Sequence, residues 1–242
     1  VKSFQVLTLF GIRILIHPTF FILPLFFALF YDYHYGAAVG FRAFMLVVLI
    51  FVCVLLHELS HSLRAQKLGI RVPSITLYPI GGVASMQKIP KEPWQEFSIS
   101  IVGPLTNFGI AAVLFFPLYY TIGPDALYSP SLESWPQTLA NVFWANPVLG
   151  LFNLIPAFPM DGGRILRSAL SGRLGYLRAT RISVYFGHLF AILFLLLGIW
   201  KQHWMLVFVA LFIYTSASRE ERYAVYENEL ERLKKDSENA SG

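Results

Sequence analysis

The sequence predicts an all-α membrane protein: a six-transmembrane-helix bundle with a short β-hairpin or re-entrant strand segment between helices two and three. Three observations carry this. The chain is 56% hydrophobic and 14% charged, against about 45–50% and about 25% in soluble domains. Its apolar residues gather into six runs, each near the ~20 residues that cross a bilayer. Its basic residues are distributed asymmetrically around those runs.

The runs cover 17–31, 43–63, 97–120, 137–158, 180–200 and 203–218, the first and last being short. Of 19 Lys and Arg residues, 17 fall before span one, between spans two and three, between spans four and five (with Arg181 at the very start of span five), or after span six. Lys2, Arg13, Lys88 and Arg164 are among them; only Arg42 and Lys201 fall on the other side. Loop 121–136 holds Asp125 and Glu133 and no basic residue. Loops rich in Lys and Arg stay in the cytoplasm, so both termini are expected there. Arg164 and Arg167 read as topology anchors. The distribution also accounts for the net charge of +5 without nucleic acid. The partner implied by composition is the lipid bilayer. Residues 1–16 lack a basic stretch followed by an apolar core, and so do not read as a signal peptide. The lone cysteine, Cys53, excludes an intrachain disulfide and reads as a small buried hydrophobe.

Segment 69–96 is not a plain loop. Val72 to Leu77 is extended in character, and Tyr78-Pro79-Ile80-Gly81-Gly82-Val83 then turns. Non-helical backbone at membrane depth must lie against protein or a water-filled cavity. His188 falls mid-span and reads as a hydrogen bonder between helices. Residues 1–218 form the transmembrane core. Residues 219–242 form a charged cytoplasmic tail, helical in pattern from Glu227 to Lys235, that ends in a disordered stretch or a linker to a further domain.

Span two carries the chemistry, in His57-Glu58-Leu59-Ser60-His61. Residues four apart share one helix face, so both imidazoles can address one metal ion. Glu58 is placed to take a proton from an attacking water. Such residues are expensive to keep in an apolar run unless they act. A catalytic zinc has three protein ligands and one open position. The third is found by elimination among 14 acidic residues. Asp32, Asp125 and Glu133 lie on the outer side, Glu92 and Glu96 in the inner loop, and seven more in the tail. Asp161, at the cytoplasmic end of span four, remains. Pro156 and Pro159 break the helix there, and Gly162-Gly163 supply backbone angles that turn Asp161 toward the metal. Asn153 can donate to a substrate carbonyl, and Asn107 either lines the site or bonds between helices. A metal carrier would need polar residues across several spans; here Glu58 and Asp161 are the acidic groups at membrane depth, near one face.

These residues resemble the site-2 protease family, in its compact prokaryotic form without a PDZ domain, over nearly the whole chain. The matching motifs are His57 to His61, Ile80-Gly81-Gly82-Val83, Gly103-Pro104 with Asn107, and Asn153 through Pro156, Pro159 and Asp161 to Arg164. The resemblance implies an intramembrane zinc metalloprotease with one Zn2+ per chain. His57, His61 and Asp161 would be its ligands and Glu58 the general base. It implies substrates that are transmembrane segments of regulators, of the membrane-held transcription factor or anti-sigma factor type. It implies a bacterial or archaeal cell membrane and a site open to the cytoplasm. In longer members CBS domains begin where this tail stands.

Overall fold

The structure, a computed structural model, describes residues 3–87 and 90–240. Lys2 and Lys88, used above in the charge count, and the tail's last two residues lie outside them. The chain opens with a hairpin. Strands β1 (Phe4–Leu9) and β2 (Ile12–Ile16) pair antiparallel, with Leu9 opposite Ile12. The two loop residues, Phe10 and Gly11, have φ of 51° and 78°. Positive φ at both positions suits a two-residue hairpin loop that follows the strand twist. A 3-10 turn (Pro18–Phe21) leads to α1 (Ile22–Tyr35) and α2 (Ala37–Lys67). Strand β3 (Ser74–Tyr78) then runs parallel to β2, and β4 (Gly81–Ala84) antiparallel to β3.

The expected hairpin between spans two and three is therefore present, but as half of a four-stranded sheet in the order β1-β2-β3-β4. The all-α expectation fails at the N-terminus. Residues 4–16 are too few to span and rich in apolar and β-branched side chains, and their partner strand lies beyond two helices. Pairing over that separation leaves no local signal.

The remaining helices are α3 (Pro93–Tyr128), α4 (Trp135–Asn153), α5 (Asp161–Leu174), α6 (Tyr176–Trp200) and α7 (Trp204–Ala240). Among the described residues, α2, α3 and α6 are long and apolar enough to cross a membrane. They match spans two, three and five of the six expected. Helix α1 has 14 residues, about 21 Å at 1.5 Å per residue, short of a ~30 Å hydrocarbon core. Span six and the tail form one helix, Trp204–Ala240.

The chain divides into two units, 1–89 with 102–152 and 90–101 with 153–242. In the first, Ile12, Ile14 and Ile75 of the sheet pack on Leu59 of α2, flanked by Leu55 and Leu63. These leucines recur every fourth residue, so one stripe of α2 serves the sheet. In the second, Phe158, Val184 and Ala217 form a core. There His188 Nε2 lies 3.0 Å from Ser218 Oγ, and its ring stacks on Tyr214, which is the packing role its position suggested.

The second unit also corrects two expectations. Arg167 is no surface anchor: it is fully buried on α5. Its Nε donates to Glu96 Oε1 at 2.8 Å and its Nη1 to Glu220 Oε1 at 3.0 Å. Its guanidinium lies 4.8 Å from the ring centroids of both Phe158 and Tyr176. Glu96 is not in a loop but in the first turn of α3, 2% exposed. The Glu92 carboxylate accepts from the N–H groups of Trp94 and Gln95, so α3 begins before its apolar run does. Polar first turns are invisible to hydropathy.

Candidate metal centre

One face of α2 packs on the sheet; another presents the two histidines. Their Nε2 atoms lie 3.1 Å apart, and both residues are buried. Helix α3 forms the facing wall at Gly103. A Cβ added there would stand 2.3 Å from Nε2 of His61 and 2.6 Å from Nε2 of His57. Zinc sits about 2.0–2.1 Å from imidazole nitrogen. The missing methyl thus leaves room of the right size beside two imidazole nitrogens, a donor type that suits zinc. The residues present fit a zinc ion.

One turn further along α3, Asn107 Oδ1 lies 2.5 Å from His57 Nδ1. Of the two readings left open for Asn107, it bonds between helices, and one of its partners is a site histidine. It is fully buried, and its Nδ2 donates to Asn146 Oδ1 on α4 at 2.9 Å. Cys53 stays with the hydrophobic core: it is buried, and its Sγ receives a hydrogen bond from Asn146 Nδ2 at 3.3 Å.

Glu58 is half-buried, next to His57 on α2. Strand β4 crosses it so closely that a Cβ on Gly82 would lie 2.7 Å from Glu58 Cγ. Gly82 is thus more than a turn residue; its missing side chain lets the strand touch the carboxylate's stem.

Asp161 is the first residue of α5 and half-buried. Helix α4 ends at Asn153 rather than at 158, and Pro156 and Pro159 stand in the non-helical stretch that follows. The prolines break the helix as expected. The glycines act differently, since both are helical within α5. A Cβ on Gly162 would lie 2.2 Å from the Ile155 carbonyl oxygen, and one on Gly163 2.6 Å from the Ala157 carbonyl carbon. Their smallness, not their backbone freedom, lets the start of α5 fold against the breaker. Asn153 is the last residue of α4.

The ligand atoms of His57, His61 and Asp161 lie within 4.8 Å of one another, a group that can hold a metal ion. The family model for peptidase family M50 matches residues 45–195, which include all three. The chain belongs to peptidase family M50. This is the family of zinc-dependent site-2 proteases that the sequence motifs suggested. Its resemblance to zinc metalloprotease MJ0392 of Methanocaldococcus jannaschii is 43% identity over 190 residues, 78% of this chain and 53% of that protein. Stage IV sporulation protein FB of Bacillus subtilis is 28% identical over 148 residues, 61% of this chain and 46% of that one. This M50 chain therefore spans about half the length of these curated relatives. Among solved structures, the site-2 protease from Methanocaldococcus jannaschii matches with a TM-score of 0.66 and 39% identity, covering 91% of this chain and 95% of that one.

Two residues escaped the sequence reading. Gly103 was quoted within a motif but given no task, and Asn146 was passed over. The available signal for Asn146 was a primary amide in an apolar run, a group that must find a partner when buried.

Proposed function

We propose that this chain is the catalytic core of an intramembrane zinc metalloendopeptidase. It hydrolyses peptide bonds within or near the transmembrane segments of membrane-anchored regulatory proteins, of the transcription-factor or anti-sigma-factor type. The observation that carries this reading is the group of three ligand atoms within 4.8 Å, two of them on a helix apolar and long enough to span a membrane. His57, His61 and Asp161 hold one Zn2+ per chain. When bound, zinc supplies a Lewis acid that acidifies water and polarises a peptide carbonyl.

Glu58 takes the proton of the attacking water and delivers it to the leaving amine. Asn153 donates its amide N–H to the carbonyl oxygen as that oxygen gains charge. A peptide in a helix hides its carbonyls, so the substrate must unwind. Strand β4 ends the sheet order and runs over Glu58, so its outer edge suits an unwound segment added as a further strand. Residues 1–218 are the membrane core and 219–242 its cytoplasmic tail. Both termini and the site opening face the cytoplasm, which the placement of 17 of 19 basic residues supports.

The test is zinc content and cleavage of a model transmembrane substrate in detergent, with wild type beside Glu58→Gln. About one zinc in both proteins with cleavage by wild type alone is expected. Absence of zinc from both overturns the reading.

A further inference from the structure

Asn146 reaches a proposed zinc ligand through Asn107, and the orientation of that ligand depends on it. The amide of Asn146 is anchored by a group of fixed polarity: its Nδ2 lies 2.9 Å from the backbone carbonyl of Val142. A carbonyl can only accept, so Nδ2 must stand there and Oδ1 must face Asn107. The second hydrogen of Nδ2 goes to Cys53 Sγ, 3.3 Å away. Because Oδ1 of Asn146 accepts, the group opposite it at 2.9 Å is Nδ2 of Asn107. That leaves Oδ1 of Asn107 toward His57 at 2.5 Å. An amide oxygen cannot donate, so the proton is on Nδ1 of His57, and Nε2, beside Gly103 and 3.1 Å from Nε2 of His61, is the nitrogen that carries the lone pair.

We propose that Asn146 and Asn107 are positioning residues for zinc binding: a polarity relay from the Val142 carbonyl that holds His57 in its ligand tautomer. Three features support this. Both asparagines are fully buried with 0% exposure, away from bulk solvent. Val142, Asn146, Asn107 and His57 lie on α4, α3 and α2, all within one unit. Each hydrogen bond from Val142 to His57 has a donor and an acceptor of determined identity. Partners of this kind on metal-binding histidines are worth about 10–100-fold in metal affinity.

The inference rests on His57 being a zinc ligand, and the experiment separates the two claims. Zinc affinity of the full chain is measured in detergent by competition with a chelator. Wild type is compared with Asn107→Leu, Asn146→Ala and the double variant Asn146→Ala with Asn107→Asp. Wild type without zinc removes the ligand set, and the relay with it. Where wild type binds zinc, the two single variants are expected to bind about 10–100-fold more weakly. Removing Asn146 frees the Asn107 amide to turn its N–H toward His57. A carboxyl at 107 has no amide N–H to turn, so the double variant is expected to recover to within about threefold of wild type. Wild-type affinity in Asn146→Ala overturns the relay. So does a double variant that folds but binds no better than Asn146→Ala, since the substitution would then act by loosening the helices. Asn146→Asp gives an independent arm: a buried, protonated carboxyl still donates to Val142 and accepts from Asn107. Affinity within about threefold of wild type supports the relay, and a loss equal to that of Asn146→Ala overturns it.

Discussion

A methyl group on Gly103 would stand 2.3 Å from Nε2 of His61. Helix α3 therefore approaches the metal-binding face of α2 at the one residue type that leaves it open. Gly103→Ala is expected to abolish zinc binding, because the added carbon crowds the Nε2 atoms of both histidines. Metal analysis of the purified protein checks this: zinc should fall from about one equivalent to below about a tenth, with the helical circular dichroism retained.

Gly82 makes the corresponding approach to the proposed base. Its Cβ would come within 2.7 Å of Glu58 Cγ, so Gly82→Ala must move either β4 or the carboxylate. Misplacing a catalytic group by about 1 Å can cost about 100-fold in rate. The expected result is a loss of cleavage in that range with zinc content unchanged. Equal losses of zinc and activity would show that the strand supports the metal instead of the base.

Glu58→Gln is expected to retain zinc and lose about 100- to 10,000-fold in cleavage rate, the usual contribution of general acid–base catalysis. The amide matches the carboxylate in shape but takes no proton. Single-turnover kinetics at saturating enzyme isolates this step from substrate binding.

The buried pair Arg167–Glu96 makes a prediction about stability. Truncating Arg167 to Met leaves a carboxylate enclosed without its cation, at a cost of about 3–5 kcal/mol. Replacing both residues, Arg167→Met with Glu96→Gln, is expected to recover most of that. Thermal unfolding in one detergent, across the two singles and the double, measures the coupling.

The proposed zinc ligands and proposed base are legible in the sequence because their signals are local. His57 and His61 are one turn apart, and Asp161 was the acid left at membrane depth. Helices α2, α3 and α6 were found because long apolar runs are hard to hide. What escaped depends on partners distant in the chain. Strands β1 and β2 meet β3 only after two helices intervene. Glu96 and Arg167 looked like loop and anchor residues because hydropathy counts each charge as solvated and cannot see that the two neutralise each other. Gly162 and Gly163 were assigned to backbone freedom, whereas contact with Ile155 and Ala157 decides their size. Asn146 had no motif to mark it; its importance lies in which way round its amide is held.

Helix α7 has 37 residues, about 55 Å at 1.5 Å each, and runs without interruption from apolar sequence into charged tail. Its charged half is geared to its surroundings by Glu220 on Arg167, Glu221 on Arg181 and Glu227 on Lys91. A helix transmits torque. A rotation of the whole helix about its axis by the arc between neighbouring residues, about 100°, would swing Glu220 off Arg167 without breaking one of its backbone hydrogen bonds. Arg167 also stacks over Phe158, three residues before Asp161. The tail helix and the segment that carries Asp161 are thus joined through one buried guanidinium.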